Sequence, residues 1–151
     1  MDMEMVQIKG VDSTVRTTIA KLAEGATMIV HERLMTHGEQ KATSVYTVEL
    51  NGKDSSTDVI SRSVAKDSSE QIFEAAIVGN TACSGHAECD AIIMDNAHVV
   101  AIPRLDANNV DAALIHEAAI GKIAGDQLIK LMTLGLTEQE AEEQIISGFL
   151  R

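Results

Sequence analysis

Both cysteines of the chain fall within Cys83-Ser84-Gly85-His86-Ala87-Glu88-Cys89-Asp90, with His86 midway between them. Thiolate and imidazole are ligands that suit zinc, copper and iron–sulfur chemistry, and C-x2-H-x2-C sets three of them close in sequence. A second polar pair, His116-Glu117, follows 27 residues past Cys89, between Leu114-Ile115 and Ala118-Ala119-Ile120. The usual zinc signatures carry two paired ligand clusters, and this chain does not. The plain alternative is that Cys83 and Cys89 are small buried apolar residues and His86 a turn residue.

Composition narrows what such residues could serve. The chain has 151 residues, 45% of them hydrophobic, enough for one domain to bury its own core. A formal net charge of -11 argues against nucleic acid, whose phosphates need clustered Lys and Arg. The aromatics are Tyr46, Phe73 and Phe149 alone, too few for base-stacking platforms or sugar subsites. No apolar run approaches the ~20 residues of a membrane span. Met1-Asp2-Met3-Glu4 has no signal-peptide pattern. Two cysteines six residues apart make no disulfide framework, so reduced thiols and a cytoplasmic setting are expected.

The elements that must position these residues read as short strands over the first hundred residues. Glu4-Val6-Ile8 alternate with Met5-Gln7-Lys9, and Gly10 closes the run. Between Thr14 and Leu22, Val15, Thr17 and Ile19 share a face. Gly25 opens Ala26–Val30, and Gly38 marks the next turn. The segment Lys41–Leu50 alternates most cleanly, with Tyr46, Val48 and Leu50 on one side, and Asn51-Gly52 marks a turn. Strands follow over Val59–Val64, Gln71–Val78, Ala91–Met94 and His98–Ile102, the last ended by Pro103. Such spacing fits a sandwich, a barrel or a stacked solenoid. Val, Ile and Ala stack well in a narrow coil, and the scarcity of aromatics disfavours a sandwich core. No strict repeat is visible, so the choice of a solenoid rests on residue texture.

Beyond Asn108-Asn109 the texture changes. Asp126–Leu134 reads as a helix with Leu128, Leu131 and Met132 on one face and Gly135 as its stop. Thr137-Glu138-Gln139-Glu140 fits a capping box, opening a helix over Glu138–Leu150 with Ala141, Ile145 and Phe149 in one row. The stretch from Val110 to Ala124 is ambiguous, since Gly121 and Gly125 disfavour a long helix. Two such helices pack on their own domain or present a face to a partner.

Several segments resemble a known family. Glu88-Cys89-Asp90-Ala91-Ile92-Ile93-Met94-Asp95 is similar to the Q/E-C-D-x-(L/I) segment of the SufB/SufD proteins, scaffold subunits of the SUF iron–sulfur cluster assembly machinery. Ile115-His116-Glu117-Ala118-Ala119-Ile120-Gly121-Lys122-Ile123 resembles their H-E-A-x-x-G/S-K/R-I segment. Asp126-Gln127-Leu128, the run from Met132 to Ala141, and Ile145-Ile146-Ser147-Gly148-Phe149 resemble the family ending. The likeness is clear from about Thr81 to Leu150.

The resemblance implies a mostly β fold, a parallel β-helix over 1–110, then a linker strand or loop and a small two-helix C-terminal subdomain over 111–151. It implies a scaffold rather than an enzyme, handling iron or an iron–sulfur cluster transiently. It also implies docking of an ABC-type, SufC-like ATPase on the helices and pairing with a second SufB/SufD-type chain or in a homodimer. Carried over by motif, its cluster-assembly residues are Cys89, His116 and Glu117; Cys83 and His86 are weaker metal candidates from the C-x2-H-x2-C spacing alone, at positions where many longer members have non-ligands. No G-x4-G-K-[S/T] loop occurs, so ATP hydrolysis is expected from a partner. Members are usually longer, which marks this chain as a fragment or a short member, and Ile115 stands where some carry an acid. A subunit that pairs and recruits the ATPase without binding a cluster is the alternative function.

Overall fold

The computed structural model describes residues 2–5 and 13–151. Strands β1 (Asp2–Met5), β3 (Thr27–Thr36), β5 (Ser55–Ala65), β7 (Cys83–Ile93) and β9 (Ala112–Gly121) form one sheet, A, in that order. Strands β2 (Ser13–Leu22), β4 (Lys41–Leu50), β6 (Glu70–Gly79) and β8 (His98–Ala107) form sheet B. Every pairing is parallel. The chain crosses from one sheet to the other at each turn, so it winds as a β-solenoid of about 4 turns, the expected class. The predicted extension of the first strand to Ile8, and its closure at Gly10, lie outside the described residues.

Alternation along each strand makes the core. On β4 the side chains of Ala42, Ser44, Tyr46, Val48 and Leu50 are buried between the sheets, as the period-2 pattern predicts. Met28, Val30, Val59, Phe73, Ala75, Ile77, Ala87 and Cys89 pack with them. Tyr46 and Phe73 lie with ring centroids 5.8 Å apart, a tilted pair within aromatic packing distance. Small residues are needed where the coil is narrow. A Cβ on Gly85 would come within 2.8 Å of Ile77 and 2.9 Å of Leu114.

The turns repeat where the strands do not. Gly25 and Asp54 share a positive φ at one corner, and Gly38, Asp67 and Asp95 at another. The Asp67 carboxylate accepts from the Gly38 amide at 2.6 Å, and Asp95 from the Asp67 amide at 3.1 Å. At a further corner Asn80 donates to Asn51 at 2.7 Å and Asn108 to Asn80 at 2.8 Å. These ladders tie successive coils together and carry the period of the solenoid.

Two expectations are corrected. The eighth strand does not end at Pro103 but runs on to Ala107. β8 is the edge strand of sheet B, so the missing amide of proline can face an unpaired side. His86, a turn residue in the plain alternative, lies in the body of β7, whose pairing with β5 and β9 overrides the turn tendency of Ser and Gly around it. The linker strand expected after 110 is β9, the last rung of sheet A.

Helices α1 (Gly125–Thr133) and α2 (Glu138–Phe149) follow. Gly135 takes the positive φ that stops the first, and Thr137 and Glu140 form the capping box that starts the second. On α2, Ala141 and Ile146 are buried, whereas no residue of α1 is. Lys66 to Glu142 at 3.9 Å, and an Arg33 hydrogen bond to the Arg151 carbonyl at 3.2 Å, link the helical end to sheet A.

Candidate functional site

Strand alternation decides which candidate residues can meet. Along β7, Cys83, Gly85, Ala87, Cys89 and Ala91 are buried inward, and Ser84, His86, Glu88 and Asp90 face outward. Cys83 and Cys89 are free thiols on one face, roughly 20 Å apart along the strand. The C-x2-H-x2-C pattern is therefore not one ligand set: its histidine points away from both thiols, which themselves cannot share an ion.

On β9, His116 lies opposite Ala87 and faces inward, two residues before Ala118, the partner of Cys89. His116 and Cys89 are thus diagonal neighbours on the interior face, roughly 8 Å apart at the backbone. Among the described residues, His116 Nδ1 is buried and has no hydrogen-bond partner. A buried imidazole nitrogen with nothing to bind is costly, and is what a ligand for an incoming group looks like. Glu117, next in sequence, faces solvent and meets His86 instead, Nε2 to Oε2 3.2 Å.

A residue missed from the sequence lies beside Cys89. Glu32, Ser61 and Cys89 occupy one row across β3, β5 and β7, all inward and all buried. The Glu32 carboxylate accepts from Ser44 at 2.5 Å, Tyr46 at 2.9 Å and Ser61 at 2.8 Å, and Arg16 stands 3.3 Å away. This satisfies a charge that would otherwise be forbidding to bury. Its signal was legible: Met28, Val30, Glu32, Leu34 and Thr36 alternate, with an acid at an inward position. Burial, then the Glu32 charge, then Asp90 push the Cys89 thiol up to about 11. Burial and Glu32 also hold the Tyr46 phenol well above its usual range.

The outward face is acidic. Burial pulls the His86 imidazole down, but its contacts with Asp58 and Glu117 outweigh this and leave its pKa above the ordinary value. A hydrogen bond shared with Asp90, then partial burial, raise Glu88 above the usual carboxylate range.

Residues 1–149 match the SUF system FeS cluster assembly, SufBD core domain. The chain belongs to the SufBD family. An iron-sulfur cluster assembly SufBD family protein of Methanothermobacter thermautotrophicus is 38% identical over 105 residues, 68% of this chain and 26% of the relative. One from Pyrococcus horikoshii is 50% identical over 66 residues, 44% of this chain and 20% of the relative. A third, from Staphylococcus saprophyticus, is 32% identical over 99 residues, 63% and 21% respectively. The chain thus spans about a quarter of the length of curated SufBD relatives that it matches. SufBD membership connects it with iron–sulfur cluster assembly and agrees with the solenoid. Among the described residues no helix is long and apolar enough to cross a membrane.

Proposed function

We propose that the chain is the part of a cytoplasmic scaffold on which an iron–sulfur cluster is built, with Cys89 and His116 as interior ligands. The observation that carries this is the buried, unpartnered His116 Nδ1, diagonal to the Cys89 thiol inside the same coil. Iron or a nascent cluster is cargo here, not a resident group. Ligation by Cys89 releases its proton, since a coordinating thiol is deprotonated outright. One thiolate and one imidazole are too few for a four-ligand cluster, so a second SufB/SufD-type chain or small thiols complete the set. The scaffold catalyses no reaction of its own. A SufC-like ABC-type ATPase, docked on α1 and α2, supplies ATP hydrolysis. Nucleic acid and membrane have no part in it.

One observation favours a second reading, a pairing and recruiting subunit that binds no cluster. Cys89 is 1% exposed and its thiol is held protonated up to about 11, unlike a ready sulfur acceptor. Anaerobic reconstitution with ferrous iron and sulfide separates the two. An assembly scaffold takes up iron and sulfide with visible absorption, and Cys89→Ser and His116→Ala each lose most of it while keeping the β-rich circular dichroism of the parent. Full uptake by a folded Cys89→Ser protein would leave the recruiting subunit as the function.

A further inference from the structure

The outward face of sheet A gathers a donor set that uses no thiol. Donor atoms of His86, Glu88 and Glu117 lie within 4.8 Å of one another, with His86 Nε2 3.2 Å from Glu117 Oε2. The register produces this convergence. Glu88 and Glu117 sit directly opposite on β7 and β9, and His86 precedes Glu88 by two residues on the same face. Asp58 lies opposite His86 on β5, its Oδ1 2.9 Å from Nδ1. With Nδ1–H donated to Asp58, a cation between the glutamates takes the place of the proton that Nε2 otherwise shares with Glu117. A carboxylate in that place commonly fixes the tautomer and the ring of a metal-binding histidine.

Distances and charge agree with an ion. Atoms bound about 2.1 Å from one centre lie roughly 3–3.5 Å apart, the separation His86 and Glu117 already have. Glu88, with a donor atom within 4.8 Å of the other two, stands on the third side, where binding an ion would exchange its hydrogen bond with Asp90 for a ligand bond. Asp58, Glu88 and Glu117 set three carboxylates around one imidazole, and Asp90, opposite Arg62, continues the acidic row beyond Glu88. A groove of about 340 Å³, lined by Ile29, Asp58, His86 and Ile115 among others, runs beside the imidazole. It keeps the Asp58 side of the ring open to solvent, while the two glutamates stand on the other side.

We propose that His86, Glu88 and Glu117 bind a divalent first-row transition cation of the ferrous type, with Asp58 as the positioning residue. One imidazole and two carboxylates suit such ions and offer nothing to thiophilic Cu(I). This site does not rest on the scaffold reading, because Cys89 and His116 face the interior; it takes Glu117 away from them and adds Glu88 and Asp58.

Titration of the full chain with Co2+ alone, and anaerobically with Fe2+ alone, tests it by equilibrium dialysis and visible absorption. One equivalent binds, with weak cobalt bands and no thiolate charge-transfer band. His86→Gln and Glu88→Gln each weaken binding by about tenfold or more, and Asp58→Asn by about 10–100-fold. Cys83→Ser and Cys89→Ala leave it unchanged. All of the first three positions face solvent, and circular dichroism verifies the fold of each variant. Affinity unchanged in folded His86→Gln, or cobalt binding lost altogether in folded Cys89→Ala, would overturn the site. Cobalt binding that survives in Cys89→Ala alongside full cluster uptake would sink the scaffold reading and leave this one standing.

Discussion

At the scale of the residue, Cys89 and Glu32 are bound together by the row they share inside the coil. The thiol stays neutral because burial and the neighbouring carboxylate both penalise a second negative charge. The native state therefore holds this proton to higher pH than the unfolded chain, from an ordinary 9.0 to about 11. The resulting stability is complete below pH 9, declines as pH rises toward 11 and is gone above it. Chemical denaturation between about pH 8 and 10.5 should show the parent losing on the order of 2 kcal/mol more than Cys89→Ala. Tyr46 also titrates upward, but in both proteins, so it cancels in the difference. Parallel curves would mean that Cys89 is not desolvated as described. The sequence made Cys89 and His116 visible because the chain has only 2 cysteines and 5 histidines and these two fall in recognisable runs. Glu32 was overlooked because glutamate is common, and only its inward register distinguishes it.

At the scale of the element, β7 shows how pleating overrules spacing. C-x2-H-x2-C looks like a ligand cluster only on a turn or helix; on a strand, residues three apart fall on opposite faces. The pairing with β5 and β9 that made it a strand is non-local and could not be read from eight residues. The solenoid itself was legible in the Val, Ile and Ala texture, whereas its period of 28 or 29 residues was not. That period resides in turn residues, Asn51, Asn80 and Asn108 or Gly38, Asp67 and Asp95, which differ in type or lie among variable neighbours. Gly85 illustrates a constraint that only the packed coil reveals. Its row holds Thr57 and Leu114, and a Cβ there meets Ile77 and Leu114 below ordinary contact distance. Gly85→Ala should gain β propensity yet cost about 1–3 kcal/mol by overpacking, read as a lower urea midpoint with an unchanged slope. A variant as stable as the parent would show that the coil is looser than its contacts indicate.

At the scale of the molecule, the solenoid and the helices divide the work of holding and presenting. α2 buries Ala141 and Ile146 and is fastened by its capping box, so its inner face is already used. α1 buries nothing, and Ile129, Met132 and Leu134 expose 62%, 44% and 79% of their surfaces. Of the two alternatives the sequence leaves for the helices, Leu134 is free to face a partner, whereas Ile146 belongs to the domain's own packing. If a SufC-like ATPase docks here, its contact is with the α1 face and the turn after it rather than with α2. Met132→Asp and Leu134→Asp should then each weaken capture of the ATPase by at least about tenfold, since charge placed in an apolar contact is desolvated without a partner. Leu134 is largely free of intramolecular packing, so its urea midpoint should move by no more than about 0.5 kcal/mol equivalent, whereas Met132, more than half covered, makes Leu134→Asp the cleaner of the two tests. Ile146→Asp serves as the contrast: it should unfold α2, and any loss of binding there would report folding rather than contact. Undiminished ATPase binding by Met132→Asp and Leu134→Asp, with the helices intact by circular dichroism, would move the docking surface off α1 altogether.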